Sequence, residues 1–202
     1  MKRILLLSLL AILFVGAVSA QGIVGVGPKI GLNFASWGGD NSSDFTSTTK
    51  FFFGGFLDYI LVKDFYLQGE LLYNTVGTGV SVQGQTGTIS ISYLEIVALA
   101  KYNIPVDKSV KIFFVAGPQL GIKLSANVHV DANGTDTDYG QYISGSDFDI
   151  VVGTGTSFKV GPGNIVVDLR YNIGLSNVQK TSPPSNSNQV FSLAVGYGFS
   201  LR

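Results

Sequence analysis

Residues 165–177 read "IVVDLRYNIGLSN", and the placement of this stretch decides the fold. Ile165, Val167, Leu169, Tyr171, Ile173 and Leu175 occupy one parity; Val166, Asp168, Arg170, Asn172, Gly174 and Ser176 occupy the other. Strict alternation marks a strand with two unlike faces. A soluble domain turns the apolar face to a core and the charges to water. A membrane barrel inverts this, with the apolar face towards lipid and the charges in the lumen.

The rest of the chain favours the inverted arrangement. Its 202 residues suit a single domain. Met1-Lys2-Arg3, the apolar run Ile4 to Val15 and the small residues Val18-Ser19-Ala20 predict a secretory signal peptide over residues 1–20. The mature domain is then 21–202. The chain has 13 basic and 13 acidic residues, so losing Lys2 and Arg3 leaves it slightly acidic, with no patch for nucleic acid. There is no cysteine, which rules out disulfides, thiol chemistry and a lipidated N-terminal Cys. No later stretch offers the roughly 20 apolar residues of a spanning helix. A mature chain that crosses a membrane must therefore close into a barrel, which satisfies every backbone group.

Eight period-two runs are predicted, at about 24–35, 51–62, 65–76, 89–103, 110–124, 147–160, 165–176 and 189–201. Polar, Gly-rich loops are expected at 36–50, 77–88, 125–146 and 177–188, and short turns near 62–64, 104–109 and 161–164. Long loops alternating with short turns, with both termini at the short-turn end, is the plan of a bacterial outer-membrane barrel. In each run the charges Lys29, Asp58, Glu70, Glu95, Lys101, Lys111, Lys123, Asp149, Lys159, Asp168 and Arg170 fall on the parity opposite the bulky apolar face. The fourth run is the weakest case, because Val97 and Leu99 share the charged parity. Aromatics gather at strand ends: Phe34, Trp37, Phe51, Phe53, Tyr73 and Phe148 towards the loops, and Tyr59, Phe65, Tyr66 and Tyr102 towards the turns. Two interfacial girdles would look like this.

The expected fold is thus all-β, an eight-stranded antiparallel up-and-down transmembrane barrel. That strand number leaves an interior which side chains fill. Lys29, Asp58, Glu70, Glu95, Lys101, Lys123, Asp149, Asp168 and Arg170 form the candidate lumen network. Its carboxylates should pair with its cations, because a buried charge without a partner is strongly destabilising.

Several stretches, in this order, also resemble a known family: "GPKIGLNFAS" (27–36), "GGFLDYILVKDFYLQGELLYNTVG" (54–77), "YLEIVALAKY" (93–102), "FFVAGPQLGIKLSA" (113–126), "VDLRYNIGLSN" (167–177) and "LAVGYGFSLR" (193–202). Together they resemble the outer-membrane β-barrel domain family labelled porin family or PorT-like, related in architecture to OmpX-type small barrels. The resemblance implies insertion by the barrel-assembly machinery, and mostly no assigned activity. One departure is at the C-terminus. The usual assembly signal ends on an aromatic residue, whereas Phe199 is followed by Ser200, Leu201 and Arg202, with the alternation otherwise intact.

Signs of catalysis are sparse. The single histidine, His129, lies in "NVHVD" with Asp131 nearby and no G-x-S-x-G around it. "GVGPKIG" lacks the helix and Lys-Ser/Thr ending of a phosphate loop. "DANGTDTDYG" (131–140) crowds Asp131, Asn133, Asp136 and Asp138, but without EF-hand spacing. It reads as a hydrated loop, with a weak cation bridge to lipopolysaccharide phosphates as the second reading. No cofactor is expected. The leading expectation is a non-enzymatic, monomeric outer-membrane barrel acting through its long loops or through envelope integrity. Its partners would be outer-membrane lipids and lipopolysaccharide, with Trp37, Phe45, Tyr139 and Tyr142 as candidate loop contacts. A narrow passive channel is the alternative, followed by a lipid A enzyme and a soluble lipocalin-like barrel.

Overall fold

The computed structural model describes residues 22–39, 45–82, 85–130, 134–180 and 186–201; the expected signal peptide lies outside them. The strands are β1 (Ile23–Gly39), β2 (Phe45–Val62), β3 (Phe65–Val82), β4 (Gln85–Pro105), β5 (Val110–Val130), β6 (Thr135–Asp138), β7 (Ser146–Val160), β8 (Gly163–Gly174) and β9 (Asn186–Ser200). Neighbours pair antiparallel in the order β4-β3-β2-β1-β9-β8-β7-β5, and β4 pairs with β5 to close the ring. Eight strands therefore form the wall. The ninth, β6, is a short ribbon laid on the end of β5, from Asn127↔Asp138 to Val130↔Thr135.

The opening stretch becomes β8, held between β7 and β9 with Arg170 opposite Gly153 and Ser192. Asp168 is 1% exposed and Leu169 41%. The inverted placement is the correct one. The outer wall repeats it strand by strand, with Ile30, Leu32, Phe53, Leu71, Ile96, Phe114, Leu120, Leu193 and Val195 all exposed.

Short turns close one end. Asp64 takes a left-handed φ of 64° between β2 and β3, and Gly161 a φ of 59° between β7 and β8, as tight hairpins demand. Between β4 and β5, Asp107 Oδ1 accepts the N–H groups of Ser109 and Val110 at 2.5 and 2.8 Å. Leu201 N–H reaches the Val24 carbonyl at 3.1 Å, so both described ends meet at this rim.

The other end differs from expectation. Residues 77–82 and 85–88, expected to be loop, continue β3 and β4 in unbroken register from Gly77↔Ser90 to Val82↔Gln85. Along β4 the outward positions run Thr88, Ser90, Ser92, then Leu94, Ile96, Ala98, Ala100, Tyr102 and Ile104. Inside, the same strand carries buried Ile89 and Ile91, then buried Glu95 and Lys101. Its polarity reverses between Ser92 and Leu94. The apolar outer span, residues 94–104, matches the 9–11 residues with which a strand crosses a bilayer. Above it the barrel is built like a soluble one.

That upper crown has its own apolar core of Trp37, Val76, Ile89, Ile91, Tyr93, Ile143, Val178 and Val190, with Phe45 and Tyr139 packed against it. The loop residue Ile143, fully buried in this core, bridges to Gln179. An extra residue, Leu124, lets β5 change parity there: Tyr93 pairs with Lys123, but Ser92 pairs with Ser125. This β-bulge turns Ala126 inward.

Candidate functional site

The inward parity of the membrane zone gathers six of the expected charges into two groups, with apolar side chains packed among them. Near the short-turn end, Lys101 Nζ donates to Asp58 Oδ2 at 2.9 Å and lies 4.8 Å from the Phe113 ring centroid. A cavity of about 200 Å³ sits here, lined by Asp58, Tyr66, Lys101, Asn103, Lys111 and Asn164 among others. Its inner wall includes Phe56 and Val166. These belong to a buried apolar cluster with Phe52, Leu72, Val97, Leu99, Phe113, Val115 and Val151. Val97 and Leu99, which share the charged parity of the fourth run, are part of this cluster.

The second group is a closed ion cluster. Lys29 Nζ donates to Glu70 Oε1 at 2.7 Å and Asp168 Oδ2 at 2.8 Å. Arg170 grips Glu70 with both terminal nitrogens, at 2.6 and 2.8 Å, and donates to Asp168 Oδ2 at 3.0 Å. Gln68 also donates to Glu70. Two cations thus face two carboxylates, all buried. Such a two-pronged guanidinium contact fixes orientation as well as charge. β1, β3 and β8 supply these residues from different parts of the wall, so the cluster ties the barrel together across its lumen.

Above the cluster the network is polar with few charges. Asn33 donates to Asn74 and to the Thr75 carbonyl at 3.0 Å, while Ser192 donates to Asn33 at 2.8 Å. Asn74 donates to Glu95 at 2.7 Å, Gln119 to Asp149 at 2.9 Å and Asn172 to Gln119 at 3.3 Å. Ser176 and Asn188 donate to Asp147. Sequence reasoning by charge missed Asn33, Gln68, Asn74, Gln119, Asp147, Asn172 and Asn188. Their inward parity was the available signal.

Two expected placements need correction. Lys123 does not pair with a lumen carboxylate. It lies on the inward parity opposite Tyr93, and its Nζ donates to the carbonyls of Gly140 and Ile143 at 2.6 and 2.7 Å. Glu95 and Asp149 are held by side-chain amides, with no cation bonded to either among the described residues. Of the four candidate loop aromatics, Trp37 is 2% exposed and packs edge-on against Phe45 at 5.2 Å. Tyr139 and Tyr142 lie 4.8 Å apart, with Tyr142 exposed. His129 pairs with Asp136 at 2.8 Å on the exposed β5–β6 ribbon, outside the lumen. Asp131 and Asn133 lie outside the described residues.

A family model described as "Outer membrane protein beta-barrel domain" matches residues 19–180. Among solved structures, Neisserial surface protein A (NspA) matches at TM-score 0.52 and 17% identity, over 89% of this chain and 99% of that one. The outer membrane protein OprG from Pseudomonas aeruginosa matches at TM-score 0.53 and 11% identity, over 89% and 96%. At such identities the likeness concerns the fold. No curated protein matches the sequence.

Proposed function

The chain belongs to the outer membrane protein β-barrel domain family, and from that premise we propose that it is a non-enzymatic barrel with a closed lumen, acting at the cell surface and in envelope integrity. Export by the segment 1–20, insertion by the barrel-assembly machinery and a monomeric state complete the reading. Lipid and lipopolysaccharide are its surroundings.

The observation that carries it is the filling of the lumen. The Lys29–Glu70–Arg170–Asp168 cluster crosses the lumen with every contact at 3.0 Å or less. Apolar side chains pack around it, with Phe56 at 5.3 Å from Lys29 Nζ and Phe52 and Leu72 lining a small cavity with Arg170, and the crown holds a second apolar core. An ion crossing would have to break a charge-balanced buried cluster and pass the apolar side chains packed around it and in the crown, and each step is costly. The cavity at the short-turn end meets the same apolar cluster at Phe56 and Val166. Activity is then left to the crown surface, where the β5–β6 ribbon and Tyr142 stand exposed.

The test is single-channel recording of the refolded protein in a planar bilayer, with folding checked by gel mobility before and after boiling. The expected result is a folded, electrically silent barrel. Reproducible unitary conductance that changes on Arg170→Ala would overturn the reading in favour of a narrow channel.

A further inference from the structure

The short-turn mouth of the barrel leads into the cavity of about 200 Å³, far more than the roughly 10–15 Å³ that one water needs. All eight wall strands contribute to its lining. Phe56 and Val166, members of the buried apolar cluster, close its inner end. What remains open to a ligand is mostly hydrogen-bond donors.

Lys101, Asn103 and Ser157 line this cavity and are each more than nine-tenths buried. Lys101 spends one of its three N–H groups on Asp58 Oδ2. Asn103 donates to Tyr66, which leaves the phenol O–H and the second amide N–H to spend. Lys111, half-buried at the mouth, has no hydrogen bond or ion pair among the described residues. Tyr66 stands directly opposite Lys101, and Lys111 directly opposite Ser157. The donors therefore share one continuous arc of wall, β3-β4-β5-β7.

Charge is a second and separate observation. Asp58 and Lys101 neutralise each other, so Lys111 leaves the cavity with an unbalanced positive charge. The rim adds to it, with Lys63, Lys108 and Lys159 against Asp64 and Asp107. Asp107 Oδ1 is already taken by the N–H groups of Ser109 and Val110.

The geometry points to a binding site for a small oxyanion of the phosphate class, held by Lys101 and Lys111, with Tyr66, Asn103 and Ser157 donating to its remaining oxygens. A cation would be repelled by the two ammonium groups, and water would leave Lys111 unbalanced. A phosphate brings both the charge and several acceptor oxygens, and lysine binds it as a point charge. Because the inner end is closed, the anion enters and leaves by the mouth and does not cross. Gly25 keeps the space: a Cβ there would meet nothing nearer than 3.7 Å, the distance to Asp58 Cβ. A larger side chain at that position has room to grow into the cavity.

The experiment titrates inorganic phosphate by calorimetry into the full refolded barrel in a glucoside detergent. Gel mobility before and after boiling checks that every variant is folded. About 0.1 M salt screens rim charges more than about 10 Å away. One saturable phosphate per barrel is expected. Lys111→Gln should weaken it at least about tenfold, the scale of a hydrogen bond to a charged group. Tyr66→Phe should weaken it by less, and Gly25→Leu, which fills the cavity and removes no donor, should abolish it. Lys63→Gln makes the same charge change on the rim outside the lining and should leave binding unchanged. Repeating the titration in phosphatidylglycerol vesicles separates two sources of the same chemistry. Binding kept there assigns the site to free phosphate; binding kept only in detergent assigns it to a lipid headgroup. Absence of saturable binding in detergent would overturn the site. So would binding that survives both Lys111→Gln and Gly25→Leu, or that falls equally with Lys63→Gln.

Discussion

Replacing Glu70 with alanine removes the acceptor on which four donor contacts converge: Lys29 Nζ, two Arg170 nitrogens and the Gln68 amide. Lys29 and Arg170 would remain buried with only Asp168 between them. Breaking a buried ion pair by removing one partner costs about 3–5 kcal/mol, or roughly two to three and a half powers of ten in the folding equilibrium. A compensated variant separates charge imbalance from lost packing. Glu70→Ala with Arg170→Met keeps the Lys29–Asp168 contact at 2.8 Å and restores neutrality, so it should recover a large part of the loss. Urea unfolding in lipid vesicles, read by the gel-mobility difference between folded and unfolded forms, measures both. A single variant within about 1 kcal/mol of the parent, below the range for a broken buried pair, would refute the reasoning. A double variant as unstable as the two single losses added together would do so too.

Two further outcomes follow from the same structure. Trp37→Ala should cost about 3–5 kcal/mol, as for other buried aromatics, because Trp37 lies in the crown core against Phe45; a surface-contact role would leave the urea midpoint unmoved. Leu169→Arg should lose about 2–4 kcal/mol on insertion into bilayers, since Leu169 lies on the outer face of β8 at mid-strand. Equal stability of that variant in vesicles would contradict the lipid-facing assignment.

Much of this architecture was legible in the chain because the membrane zone writes a clean period of two. Asp168 and Arg170 alternate with Leu169 and Tyr171, and only an inverted barrel places both sets well. The crown was not legible, for a physical reason. Above Ser92 the solvent outside is water, so Thr88 and Ser90 face out and Ile89 and Ile91 face in. Polar residues among glycines then resemble a loop, although the backbone continues as strand. Trp37 was misplaced by the same cause. The candidate site was partly legible: inward parity located the charges, but their partners depend on which strands meet across the lumen. The Lys29–Asp168 contact joins residues 139 positions apart, and no local pattern reports it. The one-residue bulge at Leu124 likewise decides that Ala126 points inward and left no mark in the alternation.

The reversal of β4 between Ser92 and Leu94 also acts as a depth gauge. Sliding the barrel along the bilayer normal by one pleat, about 5 Å for tilted strands, would either immerse the Ser92 row in hydrocarbon or lift the Leu94 row into the headgroups. Mismatch of this kind costs fractions of a kcal/mol per ångström, and every strand that carries the reversal resists the shift together. The height of the crown above the membrane is therefore written into the strands. The β5–β6 ribbon is held at a fixed distance from the surrounding headgroups, whatever that ribbon meets.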